Sequence, residues 1–183
     1  MSSKQYFDSV APQWDTIRQS LFSEAVREKA IATAKVKPGK IAVDVGAGTG
    51  FVTEGLIHKG LKVISVDSSA EMLRQMQEKF RGADVDYRLG EAEKLPIDDA
   101  SVDYVFANMC LHHVGNPLVA IKEMRRALKP GGKLVITDMD EHQFEFLRTE
   151  QHDRWLGFKR EDVEQWFVEA GLKGVVVGAA GET

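Results

Sequence analysis

The stretch Ile41–Phe51, IAVDVGAGTGF, constrains this chain more than any other, because β-branched residues run straight into an acidic residue and then a glycine-rich loop. Ile41, Val43 and Val45 carry the propensity of a strand buried within a parallel sheet. Gly46, Gly48 and Gly50 follow at alternate positions. Glycine tolerates positive φ and lets backbone come close to a ligand, so such a loop is suited to passing under a bound molecule. Thr53–Lys59 then reads as the helix that the loop opens, its first N–H groups turned toward the ligand. The unit is strand, glycine loop and helix, with a small-molecule site at the strand's C-terminal end.

A nicotinamide-dinucleotide fingerprint, G-x-G-x-x-G, needs a glycine where this chain has Phe51. The spacing here is G-x-G-x-G, preceded by Asp44. These residues resemble motif I of the class I S-adenosylmethionine-dependent methyltransferases, whose glycine loop passes under the methionine part of the cofactor. Two alternatives remain: an S-adenosylmethionine-binding sensor or interaction domain without catalysis, and an NAD(P)-dependent oxidoreductase. The resemblance implies an α/β fold with a Rossmann-like sheet and helices on both faces.

At 183 residues, 43% hydrophobic and 28% charged, the chain suits a single domain, 1–183. Within it, 1–36 reads as a helical lid segment and 37–178 as the cofactor-binding core. A net charge of −4 and scattered Lys and Arg give no footprint for nucleic acid, which favours a small-molecule acceptor. Cys110 is the one cysteine, so no intrachain disulfide or thiolate metal cluster is possible. No apolar run approaches the ~20 residues of a membrane span, and MSSKQYFDSV lacks the pattern of a secretory signal, so a cytoplasmic protein is expected.

Tyr6–Lys35 reads as helical in two parts. YFDSVAPQWD gathers Tyr6, Phe7 and Trp14 around Pro12; the second part is amphipathic through Leu21, Phe22, Ala25, Val26, Ala30 and Ile31. The first part resembles the N-terminal segment of quinone-biosynthesis methyltransferases, which closes over cofactor and acceptor. That implies Tyr6 and Trp14 as lid residues, the other reading being an aromatic staple that holds a helix down.

Leu61–Val66 is expected as a strand ending in Asp67, which falls 21 residues after Gly46. An acidic residue there can accept hydrogen bonds from both ribose hydroxyls of a nucleoside, and Asp67-Ser68-Ser69 caps the helix Ser69–Phe80. By resemblance Met72 lies near the adenine edge. Val85–Leu89 is a strand, and the following GEAEKLP resembles the family's acidic loop, in which Glu91 and Ala92 take the positions that read the adenine. This chain has Glu91 where Asp is more usual, a longer reach by one methylene.

Val102–Ala107 is the next strand, and DYVFANMCLHHV resembles the family motif whose loop lies beside the reactive methyl group. Asn108, Leu111, His112 and His113 are then nearest the chemistry. After a helix at Pro117–Leu128, LKPGGKLVITD resembles the entry to the fifth strand, Lys133–Thr137. A helix at Lys159–Gly171 and a sixth strand at Leu172–Val177 follow. The family sheet has a seventh, antiparallel strand between the fifth and sixth, and GAAGET looks like the turn toward it. A truncated or short form is expected, its open strand edges available for a homodimer.

The resemblance implies in-line displacement of the sulfonium methyl group by an acceptor, releasing S-adenosylhomocysteine, with orientation able to supply ~7–11 kcal/mol. The cofactor set it implies comprises Tyr6, Asp44, Gly46, Ala47, Gly48 and Gly50, with Asp67, Ser68, Met72, Glu91, Ala92, Asn108 and Leu111. His112 or His113 is the candidate base, since histidine titrates near ~6.5, the other reading being packing and backbone bonding. No spacing among His112, His113, His142, Asp138 and Asp140 defines a ligand set, so no metal is expected. A quinone, sterol-like or other small apolar acceptor suits the aromatic residues at both ends of the chain.

Overall fold

A computed structural model describes residues 3–19 and 21–180. Ser20, within the N-terminal helical stretch, and the last three residues of GAAGET lie outside the described residues.

The centre of the molecule is β1 (Ile41–Val45). It pairs in parallel with β2 (Lys62–Asp67) on one side and β4 (Val102–Asn108) on the other. β3 (Val85–Leu89) lies outside β2 and β5 (Leu128–Thr137) outside β4, giving the order β3-β2-β1-β4-β5. Parallel neighbours need crossovers, and helices supply them: α4 (Phe51–His58), α5 (Ala70–Lys79) and α6 (Pro117–Ala127). Before the sheet come α1 (Ser3–Val10), a 3-10 turn at Ala11–Gln13, α2 (Trp14–Gln19) and α3 (Glu24–Ala34). After it come α7 (Phe146–Glu150) and α8 (Arg160–Glu169).

Side chains alternate across β1, so each strand feeds two cores. Ala42, Val63 and Phe106 meet Ile31 and Ala34 of α3 and Phe51, Val52 and Leu56 of α4. Val43, Val45, Val66 and Val105 meet Ala120, Ile121 and Met124 of α6, with Trp166 and Phe167 of α8 beyond. Helices therefore cover both faces, as the resemblance implied.

Three sequence expectations need correction. The buried stripe of α3 runs through Arg27, Ala30, Ile31 and Ala34, while Leu21 and Ala25 are exposed. Arg27 takes the inward place because its guanidinium lies 4.9 Å from the Phe51 ring centroid and donates to the Phe51 carbonyl and Glu54. β5 starts at Leu128 rather than Lys133: Leu128 pairs with Val102 and Lys133 with Tyr104, so Lys129–Gly132 loops out within the strand.

The third correction concerns Leu172–Val177, which forms no strand; among the described residues the sheet has five. β propensity alone does not make a strand, since the backbone groups need a ladder partner. In the family order the sixth strand pairs only with the seventh, and here Val176 is 92% exposed.

Gly50 caps α4 with φ +92°, and a Cβ there would strike the Phe80 ring and lie 2.9 Å from Met76 Cγ. Strain at such a φ and overpacking each cost ~1–3 kcal/mol. Gly50→Ala should therefore lower the unfolding free energy by roughly 2 kcal/mol or more, read as a reduced urea midpoint.

Candidate functional site

β1, β2 and β4 end on the same side of the sheet, and the segments after them enclose a cavity of about 410 Å³. Its floor is the glycine loop. The Asp44 carboxylate, buried under that loop, accepts from both the N–H and the hydroxyl of Thr53 at 2.9 and 2.7 Å, which pins the start of α4 to β1. The Thr53 hydroxyl also lies 2.8 Å from Ser65 Oγ on β2. Gly46 and Ala47 donate to the Val66 carbonyl, and Gly48 donates to Asp67 Oδ2 at 2.8 Å. The other oxygen of Asp67 accepts from the Ser69 N–H, also at 2.8 Å.

Burial pushes the Asp44 carboxyl up to about 7, against the pull of the Thr53 hydrogen bonds. Asp67 is likewise raised by burial, opposed by the N–H groups of Ser69, Gly48 and Ser68. A carboxylate has about four acceptor sites, so Asp67 keeps capacity for a ligand hydroxyl beyond these backbone donors. Ser68, Met72, Glu91 and Ala92 continue the wall on this side.

The N-terminal segment roofs the cavity. Phe7, Trp14, Arg18 and Phe22 line it, with Trp14 Nε1 3.3 Å from where a Cβ on Gly48 would stand. The roof is tied down by the Ser69 hydroxyl donating to Asp8 Oδ1 at 2.6 Å. Arg18, 8% exposed, lies 4.1 Å from the Phe51 ring centroid, and its buried Nε has no hydrogen-bond partner among the described residues. Phe51, where a dinucleotide fingerprint would need glycine, thus serves as an apolar base for a guanidinium.

At the far end stand Asn108, Met109, Cys110, His113 and Arg154. Met109 turns the chain out of β4 at φ +51°, and Thr137 donates to Asn108 Oδ1 at 2.6 Å. Phe7 meets His113 edge to face with centroids 4.9 Å apart. Burial, followed by neighbouring Asp67, Asp138 and Asp44, pushes the Cys110 thiol up, so it is no nucleophile.

The structure brings Asp44, Gly46, Ala47, Gly48, Asp67, Ser68, Met72, Glu91, Ala92, Asn108 and His113 to one cavity. It leaves Tyr6, Gly50, Leu111 and His112 off the wall. Tyr6 turns away to donate to Gln151 and pack on His152, because the helical phase of α1 gives the inward place to Phe7. Gly50 is taken up in capping α4, and Leu111 is buried in the core, its N–H donating to Asp138.

His112 is 4% exposed and bonds Asp138 Oδ1 through Nδ1 at 2.6 Å. Burial alone would lower its basicity, but Asp138 and Asp153 hold it above the ordinary imidazole range. Burial and the adjacent His112 push His113 down to about 3, against the His152 carbonyl. The two histidines are therefore inequivalent in environment and access. Sequence reading missed Phe7's place on the wall and missed Arg18, Asp153 and Arg154; the aromatic cluster around Pro12 signals the first, and no local motif signals the others.

A family model for the methyltransferase domain matches residues 43–136. A demethylmenaquinone methyltransferase of Renibacterium salmoninarum is 36% identical over 146 residues, 78% of this chain and 61% of that protein. The chain belongs to the S-adenosylmethionine-dependent methyltransferase family. It spans about three fifths of that relative's length. A methyltransferase from Aquifex aeolicus, solved and described as dependent on S-adenosylmethionine, superposes with a TM-score of 0.73 at 27% identity. That match covers 94% of this chain and 90% of the other. A Haloferax volcanii protein solved with the Trm112 methyltransferase activator gives a TM-score of 0.81 at 24% identity over 90% of this chain and 75% of that chain, a likeness of fold. Among the described residues, no helix is long and apolar enough to cross a membrane.

Because native Asp44 keeps its proton up to about 7, whereas an unfolded aspartate loses it near ~3.9, the native state binds more protons between those values. Its contribution to stability is thus present below ~3.9 and is lost as pH rises through the folded value. Thermal melts of the ligand-free protein should show Asp44→Asn with a flatter fall in Tm than wild type between about pH 5 and about pH 8.

Proposed function

We propose that this methyltransferase moves the methyl group of S-adenosylmethionine onto a small molecule with an apolar body, by direct in-line displacement. The observation that carries the reading is a single roofed cavity running from Asp67 and the glycine loop to His113. A sulfonium methyl group is already activated, so the protein's task is to align the reactants and exclude water. The roof of Phe7, Trp14 and Phe22 suits both tasks.

In this reading Asp67 accepts from the ribose hydroxyls, Glu91 and Ala92 read the adenine, and Met72 packs on it. Gly46, Ala47 and Gly48 pass beneath the methionine part, while Arg18, whose Nε lies 3.9 Å from Asp15 Oδ1 and has no hydrogen-bond partner among the described residues, offers that N–H to the methionine carboxylate. Asn108 and His113 border the methyl group and its acceptor. The aromatic wall and the demethylmenaquinone methyltransferase relative favour a quinol-type acceptor.

Titration calorimetry of the purified protein should give micromolar binding of S-adenosylmethionine and S-adenosylhomocysteine and none of NAD. Asp67→Ala should weaken both by more than tenfold while circular dichroism stays unchanged. Undiminished affinity in a folded variant would remove Asp67 from the ribose role. Formation of S-adenosylhomocysteine over a panel of quinols tests the acceptor class, and tight cofactor binding with no turnover on any acceptor would favour the sensor reading.

β5 pairs with no strand along its outer edge among the described residues, and we propose that edge as a site where a second copy of this chain pairs. Sedimentation should then show a dimer at micromolar concentration, and a monomer at all concentrations would dismiss it.

A further inference from the structure

We propose that His112, His113 and Asp153 form a binding site for one divalent transition-metal ion of the zinc class, set behind the His113 wall of the cavity. The three residues come from two separate segments. His112 and His113 sit on the 3-10 turn Leu111–His113, with ring centroids 4.1 Å apart. Asp153 follows α7 and is brought alongside by backbone bonds, since the N–H groups of Arg154 and Trp155 both donate to the His112 carbonyl. His152, immediately before it, is held at φ +59°, an uncommon conformation that the surrounding structure must enforce.

The distances distinguish an ion site from a hydrogen-bonded cluster. Asp153 Oδ1 lies 3.6 Å from His112 Nε2 and 3.8 Å from His113 Nδ1. One ligand atom from each residue falls within 4.8 Å of the others. These separations exceed hydrogen-bond range. The two distances to Asp153 approach the ~3.4 Å that separates ligands around a tetrahedral ion held at ~2.1 Å, and a rotation of the two imidazoles about their side-chain bonds would close the set.

Both His113 Nδ1 and Asp153 Oδ1 are buried without a hydrogen-bond partner among the described residues, and the Asp153 side chain is only 2% exposed. Buried polar atoms are rarely left unpartnered, and two converging on one point call for a ligand.

The surroundings of His112 fit the same assignment. In the neutral tautomer with its proton on Nδ1, paired with Asp138 at 2.6 Å, the ring has a free Nε2 lone pair 3.6 Å from Asp153 Oδ1. A carboxylate behind a histidine is the usual support for a metal-bound imidazole. Asp138 is itself held by the N–H groups of Leu111 and Met139. Charge agrees as well, because a dication offsets the Asp138 and Asp153 carboxylates with both imidazoles neutral, where buried uncompensated charge is costly.

Of the three ligands His113 alone borders the cavity, and on that side the ion's fourth position would open toward the acceptor end. Three protein ligands and one open position are the arrangement of catalytic rather than structural zinc sites. An acceptor hydroxyl in that position would lose its proton more readily, so the histidines would act on it through the ion instead of as a free base. Only this last step rests on the methyl-transfer reading.

The test uses the full chain, stripped of metal by chelation, with Co²⁺ as the probe. Wild type should develop saturable visible absorption at one equivalent, abolished by Zn²⁺. Asp153→Asn should weaken Co²⁺ binding at least a hundredfold, and Asp138→Asn, which keeps the three ligands, about 10–100-fold. Circular dichroism of each variant separates loss of a ligand from loss of the fold. Absence of the absorption band in wild type, or equal Co²⁺ affinity in Asp153→Asn and wild type, overturns the site. S-adenosylhomocysteine binding by the same metal-free protein reports on the methyltransferase reading separately.

Discussion

The hydrogen bonds between Asp44 and Thr53 are the joint on which the rest of the site depends. One carboxylate oxygen near the end of β1 accepts from the Thr53 N–H in the first turn of α4 and from the Thr53 hydroxyl, which in turn reaches Ser65 on β2. Two strands and a helix are thereby locked at one point, and the glycine loop between them is left with a single course. Gly48 then reaches Asp67, so the loop after β1 and the end of β2 are held in register. The desolvation that raises the Asp44 carboxyl is the cost of placing this joint inside the core, where water cannot compete for its bonds.

How much was legible in the sequence follows how locally each feature is determined. The glycine loop and Asp67 could be read because their spacing is fixed by one strand, one turn and one helix. Glu91, Ala92 and Asn108 likewise sit at strand ends, where the sheet dictates direction. Phe7 and Tyr6 are adjacent, and which one faces inward depends on the phase at which α1 docks, set through partners remote in sequence such as Ser69 for Asp8. Asp153 is remote from the histidines in sequence and meets them only through the backbone clamp at His112. Leu172–Val177 has the composition of a strand, but it pairs with none of the five described strands.

The division of labour across the chain has a physical basis. The core from β1 to β5 is built from interdigitated aliphatic residues on both faces and has little freedom to change without losing packing. The roof and the segment around α7 contribute few buried side chains and carry the residues that would touch an acceptor, among them Phe7, Trp14 and Arg154. Family membership is therefore written in the core, and the choice of acceptor in the parts that cover it.

One covering segment touches the glycine loop and His113 alike. Trp14 stands over Gly48 while Phe7 rests against His113, and the two rings meet edge to face with centroids 5.3 Å apart. A 3-10 turn with Pro12 lies between them in the chain, and Asp8 fastens the segment to Ser69. Whatever displaces Trp14 also disturbs Phe7, so the cover over the glycine loop and the cover over His113 move as one piece.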